Sequence, residues 1–117
     1  MAERKTDTSN KANEVLLEER CVLNKVLAIT GKRWLAEIIF LVENDVNRFS
    51  QLKNNLEGIS DNILSKNLNT LLASEILTKT IYQQVPLKVE YHLSESGKKL
   101  AVLLHELCAW GRVYVEK

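Results

Sequence analysis

The stretch FSQLKNNLEGISDNILSKNLNTLL, residues 49–72, contains two short amphipathic segments separated by a glycine. The apolar positions of both segments recur with helical spacing: Phe49, Leu52 and Leu56 in the first, then Leu64, Leu68, Leu71 and Leu72 in the second. Gly58 ends the first helix, and Ser60 is well placed to cap the second. The outward face of the second helix carries Asn and Ser, which favour helix less than Glu and Lys do. This composition indicates a face selected for something other than helix stability.

Two helices joined by a three-residue turn that contains glycine are typical of a helix-turn-helix. The second helix of that motif enters the DNA major groove, where Asn pairs with adenine and Lys contacts guanine or phosphate. We therefore predict a helix-turn-helix over residues 48–74. The candidate DNA-binding residues are Arg48, Gln51, Ser60, Asp61, Asn62, Ser65, Lys66 and Asn69. The alternative, an ordinary helical packing unit whose asparagine-rich face is merely solvated, remains open on the pattern alone.

A period of two replaces the helical period after Ser74. The segments LTKTIYQQ and LKVEYHL are rich in β-branched and aromatic residues and flank QQVP, so they predict a hairpin over residues 76–93. A hairpin directly after a helix-turn-helix is the wing that lies along the DNA backbone. Lys79 and Lys88 are the candidate backbone contacts of this wing. The fold class that follows is mainly α with a small β-hairpin, a winged helix-turn-helix.

The outer helices carry more apolar surface than one protomer needs. We predict helices over residues 13–30 and 95–116, with a buried helix beginning near Trp34 and a flexible tail over residues 1–12. Residues 13–117 then form a single domain. The broad apolar faces of the first and last helices favour a homodimer paired through them. The candidate dimer-interface residues are Leu16, Leu23, Val26, Leu27, Leu104, Leu107, Cys108 and Trp110.

The overall composition is compatible with a DNA-binding protein but does not by itself indicate one. The chain has 117 residues and a net charge of only +1, so DNA binding needs locally placed cations rather than overall charge. We find no signal peptide, membrane-spanning run, CxxC pair or phosphate-binding glycine loop, and HELC (residues 105–108) lacks the second histidine of a zinc-protease motif. We therefore expect a cytoplasmic protein with no membrane partner, no metal, no cofactor and no enzymatic activity.

Four stretches of the sequence together resemble the HxlR family. They are GKRW (31–34), RFSQLKNNLEGISDNILSKNL (48–68), VPLKVEYHLSESGKKL (85–100) and AWG (109–111). The most specific is the wing signature, usually Pro-Pro-Arg-Val-Glu-Tyr-x-Leu-Thr, which stands here as PLKVEYHLS (86–94). The family comprises bacterial winged helix-turn-helix transcriptional regulators related to the MarR group. The resemblance implies a homodimer that binds an inverted-repeat DNA operator, most simply as a repressor.

Three departures from the family pattern bear on DNA binding. Leu87 replaces the second proline of the wing signature, Lys88 replaces its arginine, and Asn69 replaces a common arginine of the reading helix. Lysine keeps the charge but lacks the bidentate fork of arginine. These changes predict modest non-specific affinity and more reliance on base contacts. They also keep open a winged-helix protein-interaction module that does not bind DNA.

Cys21 stands where many HxlR-type proteins carry a cysteine that responds to oxidants or electrophiles. The resemblance therefore implies a candidate redox sensor, and a small-molecule effector is equally compatible with it. The alternative is an unreactive cysteine packed in the dimer interface, especially since Cys21 is followed by Val22 rather than the family's frequent proline and so falls inside a longer helix. Cys108 lies beside Leu104 and Leu107, and we expect it to be structural and buried.

Overall fold

A computed structural model describes the backbone of residues 7–116 and the side chains of residues 11–116. Five helices and one hairpin follow one another along this part of the chain. They are α1 (Asp7–Thr30), α2 (Leu35–Glu43), α3 (Phe49–Asn55), α4 (Asp61–Ala73), β1 (Leu77–Tyr82), β2 (Lys88–Leu93) and α5 (Glu95–Tyr114). The predicted fold class, mainly α with a small antiparallel hairpin, is confirmed. None of the helices within the described residues is both long and apolar enough to cross a bilayer.

The chain divides into two compact units, Met1–Lys32 and Arg33–Lys117. Helix α1 forms the first unit, and its residues 11–28 are exposed along the whole length. It begins at Asp7, six residues before the predicted start. Part of the predicted flexible tail is therefore helical, and residues 1–6 lie outside the described residues.

The core belongs to the second unit and is built from aliphatic side chains. Helix α2 contributes most, because its sequence is apolar on nearly every side. Ile39 is fully buried, whereas Leu41 of the same helix is half-buried, as is Trp34 at the predicted start of this buried helix. The buried core residues are Leu35, Ile38, Ile39, Val42, Leu52, Leu56, Ile59, Leu64, Leu68, Leu71, Ile76, Leu77, Ala101 and Leu104.

The turn between α3 and α4 is longer than predicted. Helix α3 ends at Asn55 because Leu56 adopts an extended conformation that buries its side chain in the core. The turn therefore spans five residues, 56–60, rather than three. Gly58 has φ +83°, which glycine adopts without steric cost. The Ser60 hydroxyl then accepts a hydrogen bond from the Ile63 N–H at 3.1 Å and caps α4 as predicted.

The predicted wing is an antiparallel hairpin that is tied to the segment before α3 through β2. Strands β1 and β2 pair antiparallel in a register that sets Leu77 opposite Leu93 and Tyr82 opposite Lys88. The Tyr91 N–H also donates to the Asn47 carbonyl at 2.8 Å, so the segment before α3 is tied to β2. This contact fixes the base of the wing relative to the helix-turn-helix.

A close junction joins β1, β2 and α5. The Ser94 N–H donates to the Ile76 carbonyl, and the Ser94 hydroxyl accepts from the Gly97 N–H, both at 3.0 Å. A Cβ atom at Gly97 would lie 2.2 Å from the Ile76 carbonyl oxygen, well inside van der Waals contact. Glycine is therefore required where α5 starts.

Replacing Gly97 with alanine should destabilise the protein by about 1–3 kcal/mol, because the added methyl group forces the backbone of Ile76 away from α5. Urea denaturation of the wild type and Gly97→Ala measures this loss. The matched control is Gly111→Ala, where a Cβ meets no atom within 4 Å. The control should keep or slightly raise stability, since alanine favours helix. Equal stability of the two variants would contradict the close contact at Gly97.

Candidate nucleic-acid interface

A polar stripe runs along the exposed side of α4. Its members, spaced i, i+3, i+4 and i+7, are Asn62, Ser65, Lys66 and Asn69. All four are exposed, while Leu64, Leu68 and Leu71 on the opposite side are no more than 1% exposed. The leucines hold α4 in one rotational setting, so the stripe points away from the core. We call these four residues the α4 stripe.

Two other predicted contacts, Ser60 and Asp61, have local structural roles. Ser60 uses its hydroxyl as the α4 cap. The Asp61 carboxylate forms an ion pair with Lys53 of α3. About 90° of helix rotation separates Asp61 from the centre of the α4 stripe. Lys53 was not among the candidates, because an eight-residue spacing across a turn gives no periodic signal. The pair links the two helices of the motif.

Arg48 and Gln51 lie at the start of α3. Arg48 precedes the helix and is half-buried, and its side chain does not cap the helix. The Gln51 side-chain oxygen accepts a hydrogen bond from the Asn47 N–H at 3.3 Å. Gln51 therefore helps to hold the segment that also binds β2. This role competes with base contact for the same oxygen.

The two wing lysines lie on opposite faces of the hairpin. Lys79 is opposite Tyr91 in the register, and Lys88 is opposite Tyr82. Since neighbouring residues of a strand point to opposite faces, the face of Lys79 contains Ile81 and that of Lys88 contains Glu90. Lys79 and Lys88 were both predicted to contact the DNA backbone, but the structure does not bring them together.

Lys88 belongs to a polar cluster centred on Glu90. The Lys88 Nζ lies 3.3 Å from Glu90 Oε2 and 4.8 Å from the ring centre of Tyr82. The Tyr82 hydroxyl donates to Glu90 Oε1 at 3.0 Å, and His92 Nε2 lies 3.3 Å from the same oxygen. The hydrogen bond from Tyr82, more than the contacts of Lys88 and His92, holds the pKa of Glu90 below its usual value. We call these four residues the Glu90 cluster.

Helix α5 exposes a long apolar face. The exposed side chains are Val102, Leu103, Leu107, Trp110, Val113 and Tyr114, and the exposed Val115 follows directly after the helix. Leu104, in contrast, is only 9% exposed and packs in the core. Cys108 is exposed, so it is not buried within the protomer, and its place in a dimer interface stays a prediction. It continues the line of Gly97, Ala101 and Leu104, but the buried residues of this helix end at Leu104.

Helix α1 has an apolar face of its own. Val15, Leu16, Val22, Leu23, Val26 and Leu27 are all at least 41% exposed. Cys21 is also exposed and lies inside the 24-residue helix rather than at its N-terminus. The helix dipole acts within the first turn and therefore does not reach this thiol. The helical angle also separates Cys21 from the apolar face by about half a turn.

Comparison with known proteins places this geometry in a family. The family model described as HxlR-like helix-turn-helix matches residues 29–117. The chain belongs to this family. Proteins of the family are DNA-binding transcriptional regulators rather than enzymes, and the same general role follows for this HxlR-like protein. Among the side chains of residues 11–116, no group of three or more His, Cys, Asp or Glu residues is placed to hold a metal ion.

Individual relatives agree with this assignment. The HTH-type transcriptional regulator YkvN of Bacillus subtilis (strain 168) is 34% identical over 97 residues, which cover 83% of this chain and 82% of YkvN. The crystal structure of the regulator YtcD, from the same organism, superimposes with a TM-score of 0.75 at 33% identity and covers 81% of this chain and 97% of that one. The reduced form of YodB from B. subtilis gives a TM-score of 0.72 at 30% identity, with coverages of 80% and 91%.

Proposed function

We propose that this HxlR-like protein is a repressor that binds an inverted-repeat operator as a homodimer, with the α4 stripe in the major groove. The α4 stripe is the observation that carries the proposal. It presents two amides, a hydroxyl and an ammonium group on one exposed line, and none of these side chains caps the helix or forms an ion pair within the described residues. Amides and ammonium groups in this position suit adenine and guanine.

The start of α4 supports Asn62 as the leading base contact. A recognition helix reaches base edges chiefly with its N-terminal residues. Asn62 is the second residue of α4, and the Ser60 cap and the Asp61–Lys53 pair hold the backbone beside it. Its amide is therefore exposed on a fixed backbone. Arg48, Gln51 and Lys79 remain proposed contacts to phosphates around the reading helix.

Asn62→Ala should weaken operator binding by about 1–3 kcal/mol and relax the base preference at one position of each half-site. The operator is a duplex selected by the protein from a random-sequence pool, and fluorescence anisotropy measures the affinity. The matched control is Asn67→Ala on the same helix, because the Asn67 amide donates to the Ile63 carbonyl at 2.8 Å and lies off the stripe. Equal losses for both variants would show that the reading face is misassigned. Selection of no duplex at all would favour the protein-interaction alternative.

The exposed apolar faces of α1 and α5 support the homodimer. Each face, taken by itself, exposes several large apolar side chains to water, and burying them in a second copy is favourable by about 25 cal/mol for each Å² covered. A two-fold dimer presents two reading helices to half-sites about one helical turn apart, or a multiple of it. A dimer bound across a promoter excludes other proteins from that DNA, which is why we propose repression.

A charge in the proposed interface should shift the protein towards monomers. Val26→Glu and Leu107→Glu replace side chains that are 41% and 60% exposed, so the protomer core is left intact. We expect a dimer for the wild type at micromolar concentration by light scattering and a monomer for each variant. Val85→Glu at the fully exposed wing tip is the matched control and should stay dimeric. A wild-type monomer at that concentration would refute the proposed dimer.

We also propose that a thiol-reactive signal acts through Cys21. The exposure of Cys21 supports this, because an oxidant or electrophile can reach an exposed thiol. Among similar structures, YodB has been solved in a reduced and in a diamide-treated form. Modification of the thiol would add volume and polarity to the side of α1 opposite its apolar face, so the proposed signal would act without directly covering that face.

Treatment with a thiol-reactive electrophile should weaken operator binding of the wild type at least tenfold and leave Cys21→Ser unaffected. Cys108→Ser is the matched comparison, since Cys108 is also exposed and is the second of the two thiols of the chain. Mass spectrometry identifies which thiol has reacted in each sample. Loss of binding in Cys21→Ser but not in Cys108→Ser would assign the response to Cys108. Unchanged binding by protein fully modified at Cys21 would leave that residue without a sensing role.

A further inference from the structure

We propose that Glu90 is a positioning residue that sets the charge of the wing and so limits its attraction to the DNA backbone. The inference rests on the proposed DNA binding and concerns a residue outside the predicted contacts. Its basis is the Glu90 cluster, in which one carboxylate contacts Tyr82, Lys88 and His92. The cluster lies on one face of the hairpin, because Tyr82 is opposite Lys88 and Thr80 is opposite Glu90 in the register.

Glu90 is well placed to restrain Lys88. Its side chain is only 18% exposed, and that of Lys88 is 31% exposed. Glu90 Oε2 contacts the ammonium group, while Oε1 is fixed by the Tyr82 hydroxyl, so the carboxylate has little freedom to turn away. The Tyr82 ring lies against the same ammonium group at 4.8 Å. Lys88 is therefore held between a carboxylate and an aromatic face instead of extending into solvent.

The pairing of Lys88 with Glu90 weakens the attraction of the wing for a phosphate. The positive charge of Lys88 is balanced by Glu90 on the same face, so a phosphate that approaches Lys88 also meets a carboxylate. Replacing that carboxylate with an amide removes the repulsion and frees the lysine, whereas the amide oxygen can still accept from Tyr82. Each phosphate that a cation neutralises makes the fall of log affinity with log salt concentration steeper by about 0.9. The proposed dimer has two wings, so Glu90→Gln should add about two lysine–phosphate contacts, one from each Lys88.

The main test measures DNA affinity across a salt series. Fluorescence anisotropy compares the wild type, Glu90→Gln, Lys88→Ala and the double variant on the selected operator and on a random duplex. Glu90→Gln should bind both duplexes more tightly by the same factor, because phosphate contacts carry no sequence information. Between about 50 and about 200 mM salt it should lose about tenfold more affinity than the wild type. Lys88→Ala should change the wild type little and should abolish the gain of Glu90→Gln.

The matched control for charge is Glu95→Gln. Glu95 also faces a lysine, Lys98, at 4.0 Å, but in an exposed pair at the start of α5. This variant removes the same charge and should leave the salt dependence unchanged. An equal change in Glu95→Gln and Glu90→Gln, or the same effect of Lys88→Ala in both backgrounds, would overturn the role of Glu90. A wild type that binds no duplex would overturn the proposed function and this inference together.

A second measurement tests the cluster without DNA. The hydrogen bond to Glu90 and the negative charge of Glu90 raise the pKa of Tyr82 above its usual value of 10.0. In Glu90→Gln the pKa of Tyr82 should fall towards that value, as followed by ultraviolet titration with Tyr82→Phe as the assignment control. Burial alone raises the pKa of Tyr91, which should therefore not respond. An unchanged Tyr82 titration would mean that the cluster does not form in solution.

Discussion

Burial of one side of α4 is the constraint on which the candidate site depends. Leu64, Leu68 and Leu71 are almost completely removed from water, so the helix cannot rotate without exposing them. That fixed rotation, together with the Ser60 cap, determines which side chains point outward. The α4 stripe contributes nothing to the core, and its asparagines are poorer helix formers than the residues a solvated face usually carries. The leucines therefore provide packing stability that does not depend on the composition of the opposite face.

Much of the fold could be predicted from spacing, while the contacts around the site could not. Helical and strand periods identified the winged helix-turn-helix, because alternation and i, i+3, i+4 patterns follow from backbone geometry. Periodicity does not show where a helix ends when the next apolar residue still fits the helical spacing. Leu56 fits that spacing but adopts an extended conformation, so the turn is longer than predicted. It also cannot show side-chain pairing across a turn or a hairpin, such as Lys53 with Asp61. The exposure of Cys108 was not predicted, because Cys108 continues the helical spacing of Gly97, Ala101 and Leu104 although the buried part of α5 ends at Leu104.

Two cations near the candidate site are paired within the protomer. Lys53 contacts Asp61, and Lys88 contacts Glu90. The net charge of +1 thus has a local counterpart, because Lys53 of α3 and Lys88 of β2 are each paired with a carboxylate. Because backbone attraction is sequence-independent, such pairing would leave a larger share of the affinity proposed for this protein to base contacts. This agrees with the replacement of the usual family arginines by Lys88 and Asn69.

The tight fit at Gly97 has a mechanical consequence for α5. With no side chain between α5 and the Ile76 carbonyl, the helix start has almost no clearance from the base of the wing. From Gly97 to Tyr114 the helix extends for about 25 Å, and its last buried residue is Leu104. The last ten residues of α5 therefore project about 15 Å beyond the last buried side chain. A tilt of about 10° about Leu104 would displace Tyr114 by about 3 Å, so the tight fit at Gly97 fixes one end of α5 while the other end lies outside the core.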